Sequence, residues 1–148
     1  MTMTRQEILE KSTYNEQHGS FELQEFSPLL SQPVPLWIYA DTPNKLKTIT
    51  GHIAERINNF FNIPASNLTY IKEQIYNHFT RCAQHTGVDT EFQSADDTFR
   101  AATLHYVYFD DYSADYDVMH YVLVFRVPWK SGQCLAMEFV NGQVREVY

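Results

Sequence analysis

Two histidines and four aspartates between Leu104 and Trp129 offer the side chains that acid–base or metal chemistry uses. If residues 110–117 close a symmetric hairpin, His105 faces Val122 and His120 faces Val107. Both imidazoles then lie on one sheet face as diagonal neighbours at roughly 7 to 8 Å. Such a pair can frame a general acid and base, or two metal ligands. No third ligand accompanies them at a determinate spacing. The paired carboxylates Asp110 with Asp111 and Asp115 with Asp117 suit hydrolytic chemistry only in a concave, partly apolar site, whereas a hairpin tip exposes them to water. HExxH, CxxC, P-loop, GxGxxG and GxSxG patterns are all missing, and five glycines leave little for a phosphate cradle. The sequence therefore assigns no catalytic residue, no metal and no cofactor, and the expectation is a protein that is not an enzyme. A small hydrolase-like enzyme using His105 and His120 stands as the alternative.

The same stretch reads differently when its acids are taken with their neighbours. Tyr106, Tyr108, Tyr112, Tyr116 and Tyr121 are interleaved with Asp110, Asp111, Asp115 and Asp117. Tyrosine gives a large, rigid contact area with a polar tip, and carboxylates beside it steer a basic partner. The net charge of −7 is concentrated here: residues 87–121 hold eight acids against Arg100 alone, while the rest of the chain carries ten charges of each sign. A nucleic-acid binder needs a basic stripe to neutralise phosphates, so nucleic acid is excluded as a partner and a basic protein is expected. Asp110, Asp111, Tyr112, Asp115, Tyr116 and Asp117 are the expected partner-binding residues.

These residues must be positioned by ordered elements. Thr4 and Glu7 form a capping-box pattern for a helix over 5–12. Gly19 ends that segment, and Phe21 and Leu23 alternate with Glu22 and Gln24 as in a half-buried strand. Pro28, Pro33 and Pro35 predict a loop or sheet edge, since proline cannot donate to a ladder. Leu36 to Ala40 reads as a strand with Leu36 and Ile38 on one face and Trp37 and Tyr39 on the other. Thr42 and Pro43 suit a helix start, followed by the stripe Leu46, Ile49, Ile53, Ile57 and Phe60. After Pro64, Ser66 can cap a second stripe of Leu68, Ile71, Ile75, Phe79 and Cys82, which predicts an αα-hairpin. His52, His78 and His85 fall on or near these helices on the solvent side. Ser94 and Asp97 cap a turn or two through Ala102.

From Leu104 the period drops to two. Leu104, Tyr106 and Tyr108 fall on one face, and His105, Val107 and Phe109 on the other. Residues 118–127 are apolar on both faces, as in a central strand, and Pro128 ends it. Gln133 to Val140 is a further strand, and Asn141 with Gly142 is a type I′ hairpin signal leading to a last strand over 144–148. The expectation is one α+β domain over 1–148, with an antiparallel sheet of about five or six strands, a C-terminal meander and the αα-hairpin packed on one face.

At 148 residues such a domain buries enough surface to need neither disulfide nor metal. Cys82 and Cys134 read as buried free thiols. The N-terminal segment lacks the apolar run of a signal peptide, and no 18-residue apolar stretch occurs, so a cytoplasmic protein without a membrane partner is expected.

Residues 121–148 carry a further pattern: an apolar strand ending at Trp129, Gly132 shortly after, another apolar strand, then the Asn141–Gly142 turn and a short last strand. This resembles the C-terminal end of a bacterial domain family of unknown function that recurs beside polymorphic and contact-dependent toxin genes. Where that family carries acidic and histidine residues after the tryptophan, this chain has Lys130, Ser131, Gly132 and Gln133. The resemblance implies an immunity protein that neutralises a cognate toxin, a nuclease being one such basic partner. A third reading is a structural, self-associating subunit using exposed aromatics such as Trp37 and Tyr39.

Overall fold

The computed structural model describes residues 2–86, 92–110, 119–130 and 134–148. The capping box forms as expected: Thr4 accepts from the Glu7 amide at 3.1 Å and starts α1, Arg5–Lys11. A three-residue strand, β1 (Thr13–Asn15), then pairs with β2 (Ser20–Ser27) across a turn closed by Gly19 at φ +62. Three residues carry no readable periodicity, so β1 was not among the expected strands. β3 (Gln32–Tyr39) follows antiparallel to β2 along its whole length.

The expected single helix after β3 is two. α2 (Lys45–Thr48) is capped by Asn44 rather than by Thr42, and α3 (Gly51–Phe61) restarts at Thr50, whose hydroxyl accepts from the Ile53 amide at 3.3 Å. Arg5 holds the break open, donating to the Ile49 carbonyl at 2.8 Å and the Leu46 carbonyl at 3.0 Å. Leu46 drops out of the stripe and is 68% exposed. Asn58 on α3 pairs with both backbone groups of Met3, at 2.7 and 2.8 Å, and so ties the N-terminal segment to α3. α4 (Asn67–Thr86) and α5 (Ala95–Ala101) complete the helices, with Ser94 capping α5 as expected.

β4 (Thr103–Phe109), β5 (His120–Arg126), β6 (Cys134–Val140) and β7 (Gln143–Val147) form the meander. Asn141 and Gly142 both take positive φ, 52 and 79, as the expected type I′ turn requires. The described residues form one seven-stranded sheet with its strands in chain order. It is α+β as expected, but mixed rather than antiparallel: β3 and β4 run parallel, with Leu36 opposite Val107 and Ile38 opposite Phe109. A parallel step cannot be closed by a tight turn. The chain returns through residues 40–102, which hold α2 to α5, and pairing direction is a property of that return path rather than of either strand's sequence. The β3–β4 ladder is short because Pro33 and Pro35, just before Leu36, have no N–H to offer it.

The core lies on one side of the sheet. Leu36, Ile38, Val107, Phe109, Tyr121, Leu123, Phe139 and their inward neighbours pack with Ile53, Ile57 and Phe60 of α3 and with Ile71, Ile75 and Phe79 of α4. Tyr121 donates to the Asn59 side chain at 2.8 Å, which satisfies a phenol buried between Phe60, Phe109 and Phe139.

His78 corrects the solvent-facing expectation. It is 3% exposed, and its Nδ1 accepts from the Trp129 indole at 3.0 Å, beside Phe79 and Phe92. Positions 75, 78 and 82 match helical spacing as well as 75, 79 and 82 do, so the burial was readable. Cys82 and Cys134 are thiols outside any disulfide, but half-buried rather than buried.

Burial, reinforced by Lys130 and Arg81, lowers the His78 pKa from 6.5 to about 4. Between those values the unfolded chain binds the extra proton and the folded chain does not. The His78 contribution to stability is therefore full above pH 6.5 and falls as pH drops towards 4, by up to about 1.4 kcal/mol per pH unit. Urea unfolding at stepped pH will reveal this slope, and His78→Gln, which keeps an acceptor for Trp129, will flatten it across that window.

Candidate functional site

The alternation along each strand gives the sheet a second face, and no helix among the described residues covers it. Its central residues are Trp37 and Tyr39 on β3, His105, Tyr106 and Tyr108 on β4, and Val122 and Val124 on β5. Val124 is buried yet stands outside the main core, which places its packing on this outer side.

A β-bulge determines which β4 residues appear here. Leu104 pairs with Phe125 and Tyr106 with Val124, leaving His105 as the extra residue between them. The bulge turns His105 and Tyr106 to the same side. Leu104, Val107 and Phe109 face the core, while His105, Tyr106 and Tyr108 face outward, instead of the strict alternation expected. The register also differs from the symmetric hairpin: Tyr108, not His105, faces Val122. His105 and His120 are consequently four to five positions apart along the sheet, roughly 15 Å at about 3.3 Å per residue.

Each histidine has its own neighbours. His105 Nε2 accepts from the Arg126 guanidinium at 3.2 Å, and partial burial followed by that cation lowers its pKa. His120 Nε2 lies 3.6 Å from Glu138, which also faces Arg145 at 3.7 Å. The geometry of a shared histidine site, on which the enzyme alternative was built, is not what the sheet provides. Among the described residues, no three His, Cys, Asp or Glu side chains stand close enough to hold a metal ion.

What the outer face does hold is an ordered row of rings. Tyr106 stacks on Trp37 with centroids 3.8 Å apart and planes 2° from parallel, and His18, from the turn before β2, stacks at 4.2 Å and 19°. Since β3 lies between β2 and β4, these two rings cover opposite faces of the indole. A row packed this way presents edges rather than open π-faces, so Trp37 offers no surface on which a nucleobase can stack. His105 adds an edge contact to Trp37 at 5.6 Å, and Tyr39 lies 6.3 Å from Tyr108.

Charge is unevenly distributed over this face. Glu22 pairs with His18, Glu138 with His120 and Arg145, and Arg126 is engaged by His105. At the end where β3 and β4 finish together stand Asp41 and Asp110. Neither has a lysine, arginine or histidine within ion-pair distance among the described residues. The Tyr39 hydroxyl donates to Asp41 at 3.1 Å. Burial first, then Asp110, Tyr39 and Tyr106, push the Tyr108 phenol up to about 12, so it stays a neutral hydrogen-bonding group at any physiological pH.

Of the expected partner-binding residues, Asp110 sits half-buried at the end of β4, and its carbonyl accepts a hydrogen bond from Arg56 Nη1. Asp111, Tyr112, Asp115, Tyr116 and Asp117 lie outside the described residues. Arg56 is the residue that sequence reasoning missed: it is 1% exposed on α3, and its Nη2 has no hydrogen-bond partner among the described residues. Its only sequence signal is its position beside Ile57 in the stripe. Its contact anchors the backbone at the end of β4.

The stacked row makes a quantitative demand. A double-mutant cycle on Trp37→Ala and Tyr106→Ala, read by urea unfolding, will give a coupling of about 0.5–1.5 kcal/mol beyond the lost area. Additive costs would mean that the two rings merely lie side by side.

No family model matches the chain, and neither a curated protein nor a solved structure matches it.

Proposed function

We propose that this chain is a non-enzymatic binding protein, most concretely an immunity protein that neutralises a basic toxin by occluding its active site. The single observation that carries this reading is the concentration of the whole net charge of −7 within residues 87–121, interleaved there with tyrosines. Asp110, Asp111, Asp115 and Asp117 supply the steering field, and Tyr112 and Tyr116 supply contact area. An acidic, tyrosine-bearing surface competes well for a cleft shaped to receive phosphates and bases, because it offers the same sign of charge and similar rigid rings. The open tyrosine-bearing face beside Asp110, with Asp41 at the same end, supports the reading, as does the likeness of residues 121–148 to toxin-linked domains. The protein would act in the compartment where that toxin would otherwise do damage.

The test is direct. The purified chain will associate with the product of its neighbouring gene and protect cells that express that product. Asp111→Lys, Asp115→Lys and Asp117→Lys together will slow association by at least about tenfold at low salt, with the difference shrinking at high salt. Neither association nor protection with the wild-type chain would defeat the reading.

A further inference from the structure

The acidic segment alone does not define how a partner would sit. We propose that the outer face of the sheet is the docking surface for a basic partner protein, with a lysine or arginine of that partner seated at the Tyr39–Tyr108 end between Asp41 and Asp110. This rests on the binding reading above and adds a place and an orientation to it.

Four observations converge on this face. It lacks a covering helix among the described residues, although it carries Trp37, Tyr39, Tyr106 and Tyr108, side chains that interfaces favour. Its rings are already held by one another: the His18–Trp37–Tyr106 row is stacked at 4.2 and 3.8 Å, so a partner would have little side-chain freedom to remove on binding. Its acids divide into two sets. Glu22 has His18 beside it and Glu138 has His120 and Arg145, while among the described residues the Asp41 and Asp110 carboxylates form no ion pair, the buried Arg56 reaching only the Asp110 carbonyl. Finally, Arg126 lies at the opposite end and is engaged by His105 at 3.2 Å. The face therefore has an acidic end, with the buried Arg56 behind it at the Asp110 carbonyl, and a basic end at Arg126, and a partner's cation is attracted to the acidic end.

The neighbouring tyrosines strengthen that choice. Two phenol rings 6.3 Å apart give a cation an electron-rich contact that carboxylates alone would lack. The Tyr39 hydroxyl, bonded to Asp41 at 3.1 Å, orients that carboxylate instead of leaving it to rotate freely. A nucleic acid fits poorly on the same face, because both sides of the Trp37 ring are covered and the unpaired charges repel phosphate.

The experiment uses the full chain, isotopically labelled and titrated with deca-arginine and, separately, with deca-thymidylate, at 0.05 and 0.5 M salt. Deca-arginine is expected to shift the Trp37 indole and the Tyr39, Asp41 and Tyr108 amides while leaving core residues such as Leu123 unmoved. Its affinity is expected to fall on the order of tenfold at the higher salt. Asp41→Asn with Tyr39→Ser will weaken binding by about tenfold. Should that double variant unfold, Asp41→Asn alone, at an exposed position, will still weaken it several-fold. The arms separate the two readings. Loss of binding in Asp111→Asn, Asp115→Asn and Asp117→Asn, with no effect of the Asp41 variants, overturns the docking face and leaves the binding function standing. A wild-type chain that ignores deca-arginine at low salt overturns both. Binding of deca-thymidylate to the outer face overturns the choice of a basic protein as occupant.

Discussion

The structure depends on one parallel step in a sheet whose strands otherwise follow one another by antiparallel neighbours. Because β3 and β4 point the same way, the chain must travel back along the sheet between them, and residues 40–102 make that journey as four helices. A helical return packs its apolar stripe against the sheet it crosses. Here that places Ile53, Ile57, Phe60, Ile71, Ile75 and Phe79 over Leu36, Ile38, Val107 and Phe109 and commits the helices to one side. On the other face no helix lies among the described residues.

Without a covering helix among the described residues, that face is stabilised laterally. Trp37, Tyr106 and His18 come from three separate pieces of chain and stack along the direction in which the strands pair, so each ring is shielded by its neighbours instead of by a second layer. The bulge at His105 makes this possible: without the extra residue, Tyr106 and Val107 would exchange faces, placing a phenol in the core and removing the ring that meets Trp37. The same parallel step gathers the ends of β3 and β4, so Asp41 and Asp110, far apart in sequence, share one rim with Tyr39 and Tyr108.

Much of this was legible beforehand where the signal was local. The Thr4 capping box, the inward Leu36 and Ile38 with outward Trp37 and Tyr39, the Ser94 cap and the Asn141–Gly142 turn all follow from short-range sterics and hydrogen bonding, and all appear. Failures occurred chiefly where a remote group decided the outcome. The helix expected from Thr42 to Phe60 is broken because Arg5 satisfies carbonyls at its interruption, and His78, whose spacing allowed either face, is held inside by the donor that Trp129 brings to it. Arg56 is buried because the end of β4 needs a donor at Asp110. None of these partners lies within one helical turn of the residue it controls.

The sequence by itself determined the element types, the inward stripes, the hairpin at the C-terminal end and the location of the excess negative charge, because each depends on residues a few positions apart. The tertiary structure alone decided the direction of β4, the shift that separates His105 from His120, the side of the sheet that the helices cover and the placing of Asp41 and Asp110 at one end of the other face. Those outcomes depend on strand pairing and on which backbone donors remain available, as Pro33 and Pro35 illustrate beside Leu36. Such terms couple residues tens of positions apart and leave no periodic trace in either segment.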